Sequence, residues 1–277
     1  MRLDPAIDAL AEQLVAARPD GRTLVTGLTG AVSAGKSTLA AQLADRLSGR
    51  GLSVEVISTD GFLKPNAALA AEGTLDLKGW PHTFDTPALL STLAALPSGP
   101  VQVPVHSHVT YDIDPALARR IDRPDILIAE GLNLHFRAET PAPADPLDLL
   151  LYLDAEEADL EAWYLARFLG FWEAAEHDPA SFYARFRGMD REAVADLARR
   201  VWAGVNLPNL RQHIARARPT ADLVVRKGAD HGITGIGDPR GRRPRLGPAW
   251  SINGAKVPHF PSDNNPRATT TLPKEEP

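Results

Sequence analysis

The run Leu24-Val25-Thr26-Gly27-Leu28-Thr29-Gly30-Ala31-Val32-Ser33-Ala34-Gly35-Lys36-Ser37-Thr38 restricts the fold more than any other part of this chain. Apolar residues build a buried strand, Gly30 and Gly35 bound a turn, and a helix begins at Lys36. Gly30, Gly35, Lys36 and Ser37 fit the pattern G-x-x-x-x-G-K-[ST]. In that pattern the backbone N–H groups from Gly30 through Ala31, Val32, Ser33, Ala34 and Gly35 to Lys36, Ser37 and Thr38 wrap phosphates. The lysine neutralises the outer ones, and the helix adds its positive end and unpaired N–H groups at the same spot.

Short apolar runs alternate with helical spacing through most of the chain, which predicts an α/β fold: a mainly parallel sheet with helices on both faces. Strands are expected at 23–28, 53–58, 125–130, 149–154 and 222–226, and helices at 36–50, 87–96, 156–171 and 190–218. Residues 1–20 carry apolar positions at Ile7, Leu10, Leu14 and Val15, an amphipathic helix rather than a signal peptide. The stretch 61–123 is rich in Pro, His and turn residues and should hold irregular segments at the mouth of the sheet, where substrates bind.

With 277 residues, 44% of them hydrophobic, the chain can bury a full core. A formal charge of −5, from 30 basic against 35 acidic residues, argues against a nucleic-acid surface. No cysteine occurs, so thiolate chemistry and disulfides are excluded. No apolar run is long enough to span a bilayer, so a cytoplasmic protein without membrane contact is the expectation.

Three segments make sense beside bound phosphate. Ser58-Thr59-Asp60-Gly61-Phe62 sets a carboxylate just past a strand, on the loop's edge of the sheet. Asp60 could take a hydroxyl proton or hold Mg²⁺ through water, or be a plain Asp-Gly turn residue. Ile126-Leu127-Ile128-Ala129-Glu130-Gly131 ends a central strand on a glutamate, which would meet Mg²⁺, water or a neighbouring helix. Tyr164 and Arg167 share one helix face, and Arg167 could stabilise a migrating phosphoryl group or merely face solvent. His106, Ser107, His108 and Tyr111 form a polar cluster without zinc spacing, suited to hydrogen-bonding a substrate or to a solvated loop.

The strings GAVSAGKST, STDGFLKPN, KGWPHTFD, PVHSHVTYD, PDILIAEGLN, YLDA, WYLARFL, DPASFY, VNLPNL and ADLVVRKGADH follow one another over residues 24–231. In this order the chain resembles the bacterial type I pantothenate kinases of the P-loop kinase superfamily, relatives of uridine kinase and phosphoribulokinase. The resemblance implies the P-loop NTPase fold, ATP and Mg²⁺ as cofactors, and transfer to the primary hydroxyl of pantothenate, the step that opens coenzyme A synthesis. It implies Lys36 and Ser37 at the nucleotide phosphates and Mg²⁺, Asp60 as base, and Arg167 beside the transferred phosphate. His108, Tyr111, Tyr164 and Asn206 match pantothenate-contacting positions, and His231 matches a histidine against the adenine ring. It also implies a homodimer restrained by coenzyme A at the nucleotide site.

The departures are Lys64 for a usual histidine, His106 for a usual tyrosine and Trp172 for a usual arginine, all expected near the substrate pocket. A related kinase of a nucleoside, sugar or hydroxy acid, or a nucleotide-binding regulator without transfer, are the rival readings. The glycines of Gly232-Ile233-Thr234-Gly235 are poor strand material. The kinase domain is therefore expected to end at residue 231 and residues 232–277 to form a tail, through an early end to the sheet or an altered reading frame.

Overall fold

The computed structural model describes residues 4–135 and 145–239. Six strands form the main sheet: β1 (Leu24–Gly30), β2 (Val54–Ser58), β7 (Ile126–Gly131), β8 (Leu149–Asp154), β9 (Leu223–Lys227) and β10 (Ile233–Gly237). Their spatial order is β10-β9-β8-β1-β7-β2, and every pairing is parallel except that of β10 on β9. Strands β3 to β6 are two- or three-residue pieces in two small hairpins, Val101–Val103 with Arg119–Ile121 and His106–Ser107 with Asp112–Ile113. They lie within the stretch expected to be irregular.

All residues of β1 and β7 are buried, so helices must cover both faces of the sheet. Helix α2 (Lys36–Ser48) contributes Leu39, Ala40, Leu43 and Leu47, spaced three and four apart as a single buried stripe. Helix α1 (Pro5–Ala16) packs on α2 through Ile7, Leu10, Ala11 and Leu14, and Asp4 caps it by accepting from Ala6 N at 3.0 Å. A second, smaller core joins Phe168 and Leu169 of helix α5 (Glu157–Ala174) to Val194, Ala195 and Ala198 of α6 (Arg191–Val201).

Aspartates fix the amino edge of the sheet. Asp148 accepts from Val25 N at 2.9 Å, Asp222 from Leu150 N at 2.8 Å and Asp125 from Ser53 N at 2.8 Å. Each carboxylate satisfies a backbone donor on the neighbouring strand or at its start, and so sets strand register where the ladder begins. The Ser53 bonds hold the Asp125 carboxyl below its ordinary range.

Two expectations are corrected. The helix expected over 190–218 is four pieces: α6, a π-helical turn at Trp202–Asn206, α7 (Leu207–Gln212) and a 3₁₀ segment at Ile214–Thr220. The sheet does not end at residue 231, because Ile233–Gly237 runs back along β9 as an edge strand. Edge position explains the glycines: Ile236 supplies a buried side chain, and Gly235 falls at an irregularity of the pairing. Of the expected tail, residues 240–277 lie outside the described residues. Among the described residues no helix is long and apolar enough to cross a membrane.

Gly30 closes β1 with φ +150°, and a Cβ there would stand 2.4 Å from the Leu153 carbonyl of β8. Gly30→Ala should therefore cost about 2 kcal/mol by overpacking. Its melting temperature should fall by roughly 4–8 °C, measured by thermal unfolding.

Candidate active site

The carboxyl ends of β1, β7, β2 and β9 meet where the loop from Gly30 to Gly35 turns into α2. Gly35 stands at the N-cap with φ +90° and Ser33 at φ +62°, a succession that turns backbone N–H groups toward a common hollow. The first turn of α2 adds N–H groups that no carbonyl of its own helix can reach. The adjoining cavity has a volume of about 620 Å³, and its lining includes Ser33, Lys36, Ser37, Trp163, Arg167 and His231. Among the described residues the Ser33 hydroxyl is buried without a hydrogen-bond partner, a donor suited to an anionic ligand.

Lys36 is 8% exposed, with Nζ donating to the Ala31 carbonyl at 2.8 Å. Burial pushes its ammonium below the ordinary lysine range, while the fields of Glu130 and Asp60 oppose that fall and Arg167 adds to it. Glu130 is buried at the end of β7 and accepts from Ser37 Oγ at 2.9 Å. Burial drives its carboxyl upward, with Asp60 reinforcing the shift and Lys36 resisting it. Ser37 and Glu130 are thus one hydroxyl and one carboxylate at the mouth of the anion hollow, a donor set that suits Mg²⁺ when phosphate oxygens complete it. Among the described residues no group of three or more histidine or acidic side chains could hold a metal by itself.

Asp60 sits in the 3₁₀ turn Thr59–Phe62 that follows β2. Ser58 Oγ accepts from Asp60 N at 3.3 Å, and Gly61 lies so close to Pro104 that a Cβ would stand 2.0 Å from its carbonyl oxygen. The field of Asp60 reaches Lys36 and Glu130 on one side and Tyr111, His106 and Lys78 on the other. Its charge thus acts on both sets of groups.

The second half is aromatic and polar. Tyr111, in a left-handed conformation with φ +56°, stacks on Phe182 at 4.4 Å, and the His106 ring lies 5.3 Å from it. Its hydroxyl is driven upward by burial and by Tyr183, Asp60 and Tyr164. Tyr164 is hydrogen-bonded to Asn206, and burial pushes it up to about 12. His108 is exposed at the rim, 5.7 Å from His106. Arg167, one turn from Tyr164, is exposed toward the cavity, with its guanidinium 5.2 Å from the Phe171 ring centre.

Lys36, Ser37, Arg167 and His231 line the cavity, and electrostatic interactions or hydrogen bonds link Glu130, Asp60, Tyr111, Tyr164 and Asn206 to one another or to those residues. Of the three departures, the His106 ring lies 5.3 Å from Tyr111, Lys64 pairs with Glu72 at 2.8 Å, and Trp172 donates to the Phe186 carbonyl at 3.0 Å and packs on the smaller core together with Tyr164.

Sequence reasoning passed over Lys227 and Trp163. Lys227 Nζ donates to the Ala34 carbonyl at 2.9 Å, lies 3.5 Å from His231 Nδ1 and sits 5.0 Å from the Trp163 ring centre. His231 stacks on Trp163 with centroids 4.1 Å apart. The signal available was the position of Lys227 at the carboxyl end of a strand.

A model of the phosphoribulokinase/uridine kinase family matches residues 25–168. The chain belongs to this family. Within it, a pantothenate kinase of Mannheimia succiniciproducens is 42% identical over 76% of this chain and 68% of its own length. One from a Bradyrhizobium species is 42% identical over 76% and 69%. Among solved structures, a kinase of Silicibacter sp. TM1040, provisionally assigned to fructose transport, superposes with a TM-score of 0.59 at 27% identity, over 78% of this chain and 94% of that one. The protein is an ATP-dependent small-molecule kinase of the P-loop type.

Because Lys227 ties β9 to the phosphate-binding turn of this kinase, Lys227→Met should raise the KM for ATP about tenfold or more. Steady-state assays should find the acceptor KM within about twofold of wild type.

Proposed function

We propose that this kinase transfers the γ-phosphoryl group of ATP to the primary hydroxyl of pantothenate, giving 4′-phosphopantothenate. The observation that carries the transfer is the position of Asp60, whose field reaches the buried lysine of the phosphate turn and the tyrosine-lined half alike. Support for the acceptor comes from the relatives named pantothenate kinase and from His108, Tyr111, Tyr164 and Asn206 at the matching positions.

The division of labour follows from chemistry. Backbone N–H groups of the turn and Lys36 hold the triphosphate, and the Ser37 and Glu130 oxygens would hold Mg²⁺, which supplies charge neutralisation on the phosphate oxygens. The acceptor hydroxyl oxygen bonds to the γ-phosphorus as the bond to the β–γ bridging oxygen breaks, and its proton passes to Asp60. The transition state is mostly dissociative, so Asp60 need not be a strong base early, and orienting the hydroxyl is its larger task. Arg167 carries charge that grows on the equatorial oxygens. Tyr164 and Asn206 offer a paired hydroxyl and amide, and Tyr111 and Phe182 a flat aromatic wall, to an acceptor with amide and aliphatic parts.

The same reading extends to coenzyme A competing at the nucleotide cavity, to a homodimer and to a cytoplasmic setting. Purified protein given ATP and pantothenate should release ADP and phosphopantothenate in equal amounts. Asp60→Asn should keep its fold and ATP affinity yet lose about 10²- to 10⁴-fold in kcat, and wild-type turnover in that variant would remove Asp60 from the role.

A further inference from the structure

The cavity beside the phosphate turn, about 620 Å³, is of a size that encloses a whole nucleotide, and part of its wall comes from the first helix and the last strand. Asp4 and Ile7 of α1 and Ile233 of β10 line it, beside Gln42 of α2. Gln42 stands four residues beyond Thr38, about 6 Å along the helix from the turn that faces the phosphates. Neither α1 nor β10 falls within residues 25–168, the part that matches the family model.

This wall is made of packed elements. Ile7 is buried in the main core, Ile233 packs against the same core, and α1 touches both α2 and β10. Asp8 of α1 pairs with Arg46 of α2 at 3.5 Å, and the Asp4 carbonyl accepts from Ile7 N and Asp8 N at 3.1 Å each. His231, two residues before Ile233, stacks on Trp163 in the same cavity. Two isoleucines and a ring pair suit a flat heterocycle, whereas the turn at Lys36 suits charge. Asp4 spends one carboxylate oxygen on its helix: Oδ1 accepts from Ala6 N at 3.0 Å. Among the described residues its Oδ2 accepts no hydrogen bond, and an ionised carboxylate can only accept. Adenine answers that need with a 6-amino group, where guanine carries a carbonyl oxygen.

We infer that α1 and β10 form the wall that receives the nucleoside of ATP, with Ile7 and Ile233 against the base and Asp4 Oδ2 accepting from its 6-amino group. Base choice is then made by residues that lie outside the family-model segment, while the segment itself grips the phosphates. The inference rests on the nucleotide half of the kinase reading and is independent of which alcohol is the acceptor.

The test is calorimetric binding of ATP and of inosine triphosphate, which carries a carbonyl at C6, to the full chain with no acceptor present. Wild type should bind ATP the more tightly. Asp4→Asn keeps an oxygen for the helix cap and puts an amide NH₂ in place of Oδ2, a donor set against the adenine amine but matched to the inosine carbonyl. The ratio of the inosine triphosphate Kd to the ATP Kd should therefore fall about tenfold or more. Ile233→Thr, a mild change on an edge strand, should weaken both nucleotides about fivefold and alike. A ratio unchanged in Asp4→Asn, whether neither nucleotide weakens or both weaken equally as for a ribose contact, overturns the inference, and so does wild-type binding of both by Ile233→Thr. Failure to phosphorylate pantothenate would remove the acceptor reading alone and leave these binding constants as they are.

Discussion

A lysine ammonium buried at the carboxyl edge of a parallel sheet is the constraint on which this site depends. Among the described residues the Lys36 ammonium donates to the Ala31 carbonyl, and burial pushes it below the ordinary lysine range. The Glu130 and Asp60 carboxylates hold the charge in place, but Glu130 is itself buried and driven toward its neutral form. A buried cation and anion in mutual, incomplete compensation cost several kcal/mol that a hydrophobic pair would not. The cost is recovered when a polyanion enters, because the triphosphate supplies the negative charge that the lysine, the Ser33 hydroxyl and the α2 amides leave unanswered. Ligand affinity is thereby built into the folded state as a deficit of counter-charge.

The two edges of the sheet use one residue type for opposite ends. At the amino edge Asp125, Asp148 and Asp222 each accept a backbone N–H and are spent on register. At the carboxyl edge Asp60 follows its strand by two residues, and its charge acts on Lys36 and Glu130. Parallel strands make this division possible, since all their carboxyl ends, and the helix N-termini that follow, fall on one side. Asp60 is also held to a narrow position: Gly61 allows Pro104 to approach to a distance that any side chain at 61 would forbid.

Much of this was legible in the residues. The phosphate turn carries its own spacing, and short runs rich in apolar residues mark the strands, so β1, β2, β7, β8 and β9 fall within about two residues of where the pattern put them. The break in 190–218 was illegible, because the helical period of Val194, Ala195, Ala198 and Trp202 continues smoothly. The last strand was misread for a related reason. Glycine propensity argues against Gly232 to Gly237, but an edge strand needs only one row of partners, and His231 at φ +66° with the Asp230 carboxylate accepting from Gly232 N makes the turn that returns it to β9.

Helix α5 relates the two halves of the site in a way that neither half reveals alone. Trp163 donates to the Ala229 carbonyl and stacks on His231 at the nucleotide side, Tyr164 meets Asn206 at the acceptor side, and Arg167 stands one turn on, between them. Three successive roles on one rigid rod fix the separation of the two substrates by the 1.5 Å rise and 3.6-residue turn of the helix. Bringing two reactants to in-line geometry is where most of the rate of phosphoryl transfer arises, since there is little covalent chemistry for side chains to perform. The second core of Phe168, Leu169, Val194 and Ala198 anchors that rod to α6, which runs into the π turn bearing Asn206. On the proposed reading, this packing, against which Tyr164 itself lies, sets the distance between nucleotide and acceptor, and the polar residues of the site act with the precision that it gives them.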